Sequence, residues 1–228
     1  MPRYARLFVP GIPAHIVQRG HDRDVVFIEQ GDRQYYLDNL VEAKDRYDID
    51  VHAFCLMTNH VHLLISPGPE AATISEFMRV LAARQTRHIN KRGNRTGTLW
   101  EGRFKASLVD TSSYVLACYR YIELNPVRAG MVRHPAEYEW SSYRHNAGIE
   151  QSDWLNEHPE MCALSSELRT RQMAYAKFVG ADIRDEECGV IRTALQRNQL
   201  TGNDRFRKEL ERRTGRRLST AGPGRPVK

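Results

Sequence analysis

Thr58-Asn59-His60-Val61-His62-Leu63-Leu64-Ile65 is the stretch on which the reading of the fold turns. Val, Leu and Ile dominate it, and a short unbroken run of such residues favours a buried strand. Side chains alternate along a strand, so His60 and His62 leave on one face and Val61 and Leu63 on the other. Two imidazoles side by side on one strand face can hold a divalent metal. Two packed or surface histidines are the plain alternative.

Outward from this strand the chain reads as a short series of elements. Upstream, residues 51–57 form a strand, and Thr58-Asn59 is a tight turn that makes the two a hairpin. Asp32 is a candidate cap for a helix running to about Tyr47, with Tyr36, Leu37, Leu40, Val41 and Ala43 giving its apolar side. Residues 25–28 are a short apolar run, read as a hairpin or edge strand. Residues 14–18 form the first strand, closed by Arg19-Gly20. Downstream, Pro67-Gly68-Pro69 breaks the pattern. Thr73 or Ser75 caps a second helix to about Ile89 that buries Phe77, Met78, Leu81 and Ala82. Residues 91–98 are a basic Gly/Asn loop, and residues 104–109 a strand. Asp110-Thr111-Ser112-Ser113 starts a third helix, which Asn125-Pro126 is expected to stop near Leu124.

The first six elements match the split βαβ, ferredoxin-like arrangement. The expected class is α+β, with an antiparallel sheet and helices on one face. A soft boundary near residues 145–155 divides the chain into a domain of residues 1–148 and a helical extension of residues 149–228 with a basic tail.

Composition bounds the partners. The 228 residues are 41% hydrophobic, with formal net charge +6 and mean hydropathy −0.59. No apolar run reaches the roughly 18–20 residues of a membrane span. The basic N-terminus has no apolar signal core after it. Cys55, Cys118, Cys162 and Cys188 are widely spaced, without a C-x-x-C, which fits neither a zinc ribbon nor a disulfide framework. A reducing cytoplasmic compartment is expected. From Arg192 onward eleven basic side chains face three acidic ones, an excess of +8 against +6 for the whole chain. Residues 1–191 therefore sum to −2. A basic tail on a near-neutral body suggests a polyanionic partner, a solvated tail being the bland alternative.

On the third helix Tyr114, Ala117, Tyr121 and Asn125 share one stripe, and Val115, Cys118, Tyr119 and Ile122 a neighbouring one. Tyr119 and Tyr121 lie on different faces, so at least one looks outward from the core. A lone tyrosine is ordinarily an amphipathic packer. Read functionally, Tyr121 is a nucleophile whose phenol, with a pKa near about 10, needs help to attack a phosphate. A metal gives that help by drawing charge from the phosphoryl oxygens. Asn125, one turn on, is placed to offer an oxygen ligand beside the two histidines. Imidazole-plus-oxygen ligation suits Mg2+ or Mn2+ better than a closed zinc site.

Asn59-His60-Val61-His62 followed by Arg120-Tyr121-Ile122-Glu123-Leu124-Asn125-Pro126-Val127-Arg128-Ala129-Gly130 resembles the REP-associated tyrosine transposases, single-tyrosine members of the HUH group. Gln18-Arg19-Gly20, the run from Gly97 to Phe104, and Trp140-Ser141-Ser142-Tyr143 resemble the family as well, so the likeness covers about residues 1–145. It implies a metal-dependent endonuclease and strand transferase for single-stranded DNA, acting on palindromic repeat hairpins through a 5′-phosphotyrosine. His60 and His62 then match the metal ligands and Tyr121 the nucleophile. Asn125 stands where many HUH transposases carry Gln. The implied setting is bacterial cytoplasm and nucleoid, with the state, monomer or homodimer, left open.

For the nucleic acid, Arg19, Arg84, Arg87, Lys91, Arg95, Arg103 and Lys105 are candidate phosphate contacts. Trp100 and Phe104 are candidate base platforms. In the tail, Arg212 and Arg213 are candidates, with Arg225 inside a Gly-Arg-Pro triplet that resembles a minor-groove hook. Three rival functions remain: a catalytically silent repeat-DNA-binding protein, a water-using metal phosphodiesterase, and an RNA-binding ferredoxin-like module.

Overall fold

The computed structural model describes residues 6–181 and 185–218. Four strands, β1 (Ala14–Arg19), β2 (Ile49–Met57), β3 (His60–Pro67) and β4 (Lys105–Leu108), form one antiparallel sheet in the order β2-β3-β1-β4. Helix α1 (Gln30–Arg46) connects β1 to β2, and α2 (Thr73–Arg92) connects β3 to β4. This is the ferredoxin-like split βαβ topology expected from the sequence. After β4 come α3 (Thr111–Glu123), α4 (Asn125–Arg128), α5 (Tyr143–Asn146), α6 (Pro159–Cys162), α7 (Leu168–Gly180), α8 (Asp185–Arg197) and α9 (Asp204–Thr214).

The alternation along β3 sorts the molecule into two cores. Val61, Leu63 and Ile65, with Ile16, Phe54 and Leu56 from the neighbouring strands, pack against Tyr36 and Leu40 of α1 and Phe77, Met78 and Leu81 of α2. Leu64, with Ala53, Cys55 and Met57, packs on the other face against Val115, Cys118 and Ile122 of α3. The two crossover helices thus share one face as expected. The opposite face is covered too, by α3 and by Met161, Tyr175, Val179 and Ile191 from beyond residue 148.

Local chemistry explains where several elements start and stop. Asp32 is not the cap of α1; Glu29 is, and the two form a reciprocal capping box. Asp32 is fully buried and accepts from the Ile28 and Glu29 backbone N–H groups and from His88. Residues 25–28 form no strand. Val26 and Phe27 are a buried plug whose backbone N–H groups reach the Thr58 carbonyl. Asp110 caps α3, accepting from the Ser112 N–H. α3 ends at Glu123 with Leu124 as its C-cap, as expected, and Pro126 then occupies the first turn of the short α4, where a missing N–H costs nothing. Gly20 is required by close approach, since a Cβ there would lie 2.2 Å from the Asp24 carbonyl oxygen.

Both sheet edges are covered. Along β2, Leu56 N–H donates to the Trp140 carbonyl, Ser142 N–H to the Phe54 carbonyl and Asn156 N–H to the Val51 carbonyl. Along β4, Asn198 Oδ1 accepts from Ala106 N–H, and Thr201 N–H donates to the Leu108 carbonyl.

Helix α3 is tied to the segment beyond residue 148 by buried polar contacts. Arg120 is 6% exposed, pairs with Glu187 of α8 and donates to the Phe178 carbonyl. Glu123 is fully buried and accepts from Ser142 Oγ, Asn146 Nδ2 and the Tyr175 hydroxyl of α7. Burial pushes its carboxyl up to about 7, although all three donors favour the charged form. Tyr175→Phe removes one donor from this buried carboxyl and is expected to lower unfolding free energy by about 1–3 kcal/mol. Urea denaturation measures it, and an unchanged midpoint would show that the Glu123 hydrogen bond carries no stability.

Candidate active site

The cross-strand register assembles the site. His60 lies opposite Arg19 on β1 and Met57 on β2, and His62 opposite Val17 and Cys55, so these side chains share the α3-facing side of the sheet. The two imidazole centroids are 5.0 Å apart. Tyr121 reaches down from α3 with its ring 6.0 Å from that of His62 and edge-on to it. Asn125, at the start of α4, donates its Nδ2 to the Tyr121 and Ile122 carbonyls at 2.9 and 3.3 Å. That bonding turns the amide oxygen to the other side. His60, His62, Tyr121 and Asn125 all line one groove of about 1750 Å³.

Both histidines have Nδ1 engaged. His60 Nδ1 is 2.7 Å from Asn59 Oδ1, and His62 Nδ1 is 2.9 Å from His15 Nε2. Each therefore keeps Nε2 for the groove. An outer partner on one ring nitrogen, with the other nitrogen free, is the arrangement of metal-ligating histidines. Burial lowers the pKa of His60 to about 4, and it holds His62 well below the ordinary histidine value. Both are thus neutral at neutral pH, the form that binds metal. Among the described residues no cluster of three or more His, Cys, Asp and Glu side chains is arranged to hold a metal. The groove beside the pair also offers the amide oxygen of Asn125.

Two neighbours of Tyr121 escape the sequence analysis. His15 of β1 is fully buried, with its ring 5.6 Å from that of Tyr121. The Arg128 guanidinium sits 4.1 Å over the Tyr121 ring and also donates to the Tyr121 carbonyl. A cation over an aromatic face is attracted to the ring and favours negative charge nearby. His15 has a faint sequence signal, a polar residue inside the apolar run of residues 14–17. Arg128 has one only if the helical path is carried past Pro126.

The candidate nucleic-acid contacts fall into separate groups. Arg19, Arg103 and Lys105 are exposed and line the groove, as do Arg192, Arg197 and Arg217 from the far segment. Arg87, Lys91 and Arg95 lie on α2 and the loop after it, and Arg212 and Arg213 on α9; none lines the groove. Arg84 needs correction, because it ties α2 to α1 through Glu42 and Asn39. Trp100 needs correction too: it is 5% exposed, belongs to the core and donates its indole N–H to the Ala82 carbonyl, which leaves no open face for a base. Phe104 is 6% exposed beneath Arg6 and beside Phe8. Arg225 and its Gly-Arg-Pro triplet lie outside the described residues.

The sheet is ferredoxin-like, with a histidine pair under a helix-borne tyrosine. Residues 8–125, more than half of the chain, match the model of the IS200-like transposases, and the chain belongs to that family. Its fold is similar to a solved REP-associated tyrosine transposase bound to a REP hairpin, with TM-score 0.57 and 18% identity over 69% of this chain and 93% of that one. A transposase-like protein of Deinococcus radiodurans R1 aligns more loosely, with TM-score 0.38 and 19% identity over 49% of this chain and 89% of that one. No curated protein sequence matches significantly. No helix among the described residues is long and apolar enough to cross a membrane.

The lowered histidines are expected to make the fold acid-sensitive. Burial lowers His15 to about 3 and His52, His60 and His158 to about 4, all from 6.5. Their stabilisation is complete above pH 6.5 and is lost as pH falls towards 4, because the unfolded chain takes up the protons first. Glu123, raised from 4.5 to about 7, acts in the opposite direction, its contribution declining as pH rises across that interval. Four lowered histidines outweigh one raised carboxyl. The thermal midpoint is expected to fall between pH 6.5 and 4.5, with proton uptake on unfolding. A flat midpoint over that interval would show that these imidazoles are not buried neutral.

Proposed function

We propose that this protein is a metal-dependent single-stranded DNA endonuclease and strand transferase that acts on palindromic repeat hairpins through a phosphotyrosine at Tyr121. The observation that carries the reading is the convergence of Tyr121, His60, His62 and Asn125 on one groove. Binding alone does not require that set. The hairpin as substrate is supported by the REP hairpin in the similar solved structure.

Tyr121 attacks the scissile phosphorus; the Tyr121 Oη–P bond forms and the bond from phosphorus to the 3′ oxygen breaks. The phenolic proton is lost from Tyr121, the departing oxygen gains one, and a 3′-hydroxyl is released. Attack by a 3′-hydroxyl on the phosphotyrosine reverses the sequence and joins strands without an external energy source. A divalent cation, Mg2+ or Mn2+, would be held by Nε2 of His60 and His62 with Asn125 Oδ1, and when bound it draws charge from the phosphoryl oxygens. Arg128 over the Tyr121 ring steadies the phenolate as it forms and as it leaves. Packing against His15 and His62 restricts the ring, so the nucleophile is held before substrate arrives.

In this reading residues 1–148 carry the chemistry, and the extension from residue 149 supplies the second wall of the groove. The strand lies between Arg19, Arg103 and Lys105 on one side and Arg192, Arg197 and Arg217 on the other. Phosphate contacts of this kind give salt-dependent, sequence-tolerant affinity.

The test is a denaturing gel of the full chain with labelled hairpin DNA taken from repeats beside its own gene, with Mg2+ or Mn2+. Wild type is expected to give a slow covalent band, and Tyr121→Phe none, with hairpin binding retained on a native gel. Cleavage unaffected by Tyr121→Phe would instead mean a water-using phosphodiesterase. Binding without cleavage in the wild type would mean a silent repeat-binding protein. The joint substitution Arg192→Ala, Arg197→Ala, Arg217→Ala is expected to reduce the slope of log affinity against log salt by about 0.7 for each phosphate no longer neutralised. An unchanged slope would remove the extension from the binding path.

A further inference from the structure

His15 is a costly residue for a strand interior. It is 0% accessible to solvent, and its Nδ1 has no hydrogen-bond partner. Burying a polar group that is only half satisfied is unfavourable, and a similar-sized apolar ring would fill the same space without that cost. Its other nitrogen, Nε2, is 2.9 Å from His62 Nδ1, and the two rings stack at 5.2 Å and 28°.

Two neutral imidazoles sharing one hydrogen bond have two arrangements. If His15 Nε2–H donates, His62 carries its proton on Nε2 and has no lone pair to offer the groove. If His62 Nδ1–H donates, His62 Nε2 is a bare lone pair, and the proton of His15 is on its partnerless Nδ1. His15 Nδ1 is unpartnered in both, as a buried acceptor in the first and a buried donor in the second, so a cation that needs the His62 Nε2 lone pair selects the second.

We propose that His15 is a positioning residue that accepts the Nδ1–H of His62 and so presents His62 Nε2 to a divalent cation, with its ring edge bracing Tyr121. The contact through His15 Nε2 is the one hydrogen bond that the His15 ring makes, and it falls on His62 Nδ1. One imidazole thereby links the metal side of the site to the nucleophile, because the same ring touches His62 and Tyr121. This inference rests on the reading of His60 and His62 as ligands.

The experiment measures Mn2+ binding to the full chain, without DNA, from the electron paramagnetic resonance signal of the free ion. His15→Phe keeps the ring and removes the acceptor, and is expected to weaken Mn2+ binding by about 10–100-fold. His15→Gln keeps a polar atom near the Nε2 position and is expected to stay within a few-fold of wild type. Wild-type affinity in His15→Phe overturns the proposal. Where His15→Phe does not fold, the 15N shifts of His62 in the wild-type protein with Mg2+ decide the question. A proton on Nδ1 supports the proposal and a proton on Nε2 overturns it. His62→Ala separates the two levels: Mn2+ binding that survives it fails the ligand assignment itself and this inference with it. Binding abolished in His62→Ala but kept in His15→Phe fails this inference alone.

Discussion

The structure depends on a central strand, β3, that is covered on both faces. Its odd-numbered residues from Val61 to Ile65 anchor the layer against α1 and α2, and its even-numbered ones face α3. A one-residue slip in pairing would exchange the two sets, putting imidazoles into the larger apolar core and branched aliphatics into the groove. The register is therefore fixed by burial itself. The energy that sets it is the same energy that places His60 and His62 side by side under Tyr121. Chemistry and stability are not separable on this strand.

The second core explains why α3 is rigid where it has to be. Tyr121 lies between Arg120, whose charge is matched by Glu187, and Glu123, whose carboxyl accepts from Ser142 and Asn146 at the two ends of α5 and from Tyr175 of α7. Buried charged groups held this way are strongly coupled to their partners, since the loss of one leaves the other desolvated. Tyr121 is thus carried on a helix whose inward-facing polar residues are committed to α5, α7 and α8. Arg128 extends the pattern from the next turn, joining the Tyr121 ring to Cys188 of α8.

Much of this was legible in the sequence. The alternation in β3, the hairpin before it, the two crossover helices and the Asp110 start of α3 are all local patterns, and local patterns survive folding when burial agrees with them. Asn125 was legible as well, because four residues along a helix bring it back to the face of Tyr121. His15 was not, since its partner is far along the chain and the contact exists only once β1 and β3 are in register. Arg128 was hidden because it lies past the stop at Asn125-Pro126, on the separate short helix α4 that Pro126 opens. Trp100 misled because an aromatic residue beside Arg103 reads as a stacking platform, while the Ala82 carbonyl that claims its indole is set by tertiary packing. The helical character of the far segment was readable from composition, but its role as a wall of the groove was not.

The capped sheet edges bear on how copies of this protein meet. Strand addition needs a row of unpaired backbone donors and acceptors. On β2 the groups of Val51, Phe54 and Leu56 are already bonded to Asn156, Ser142 and Trp140, and on β4 those of Ala106 and Leu108 to Asn198 and Thr201. Along those stretches the sheet is finished within a single chain. A second copy would find these groups already bonded there and no template for a shared sheet.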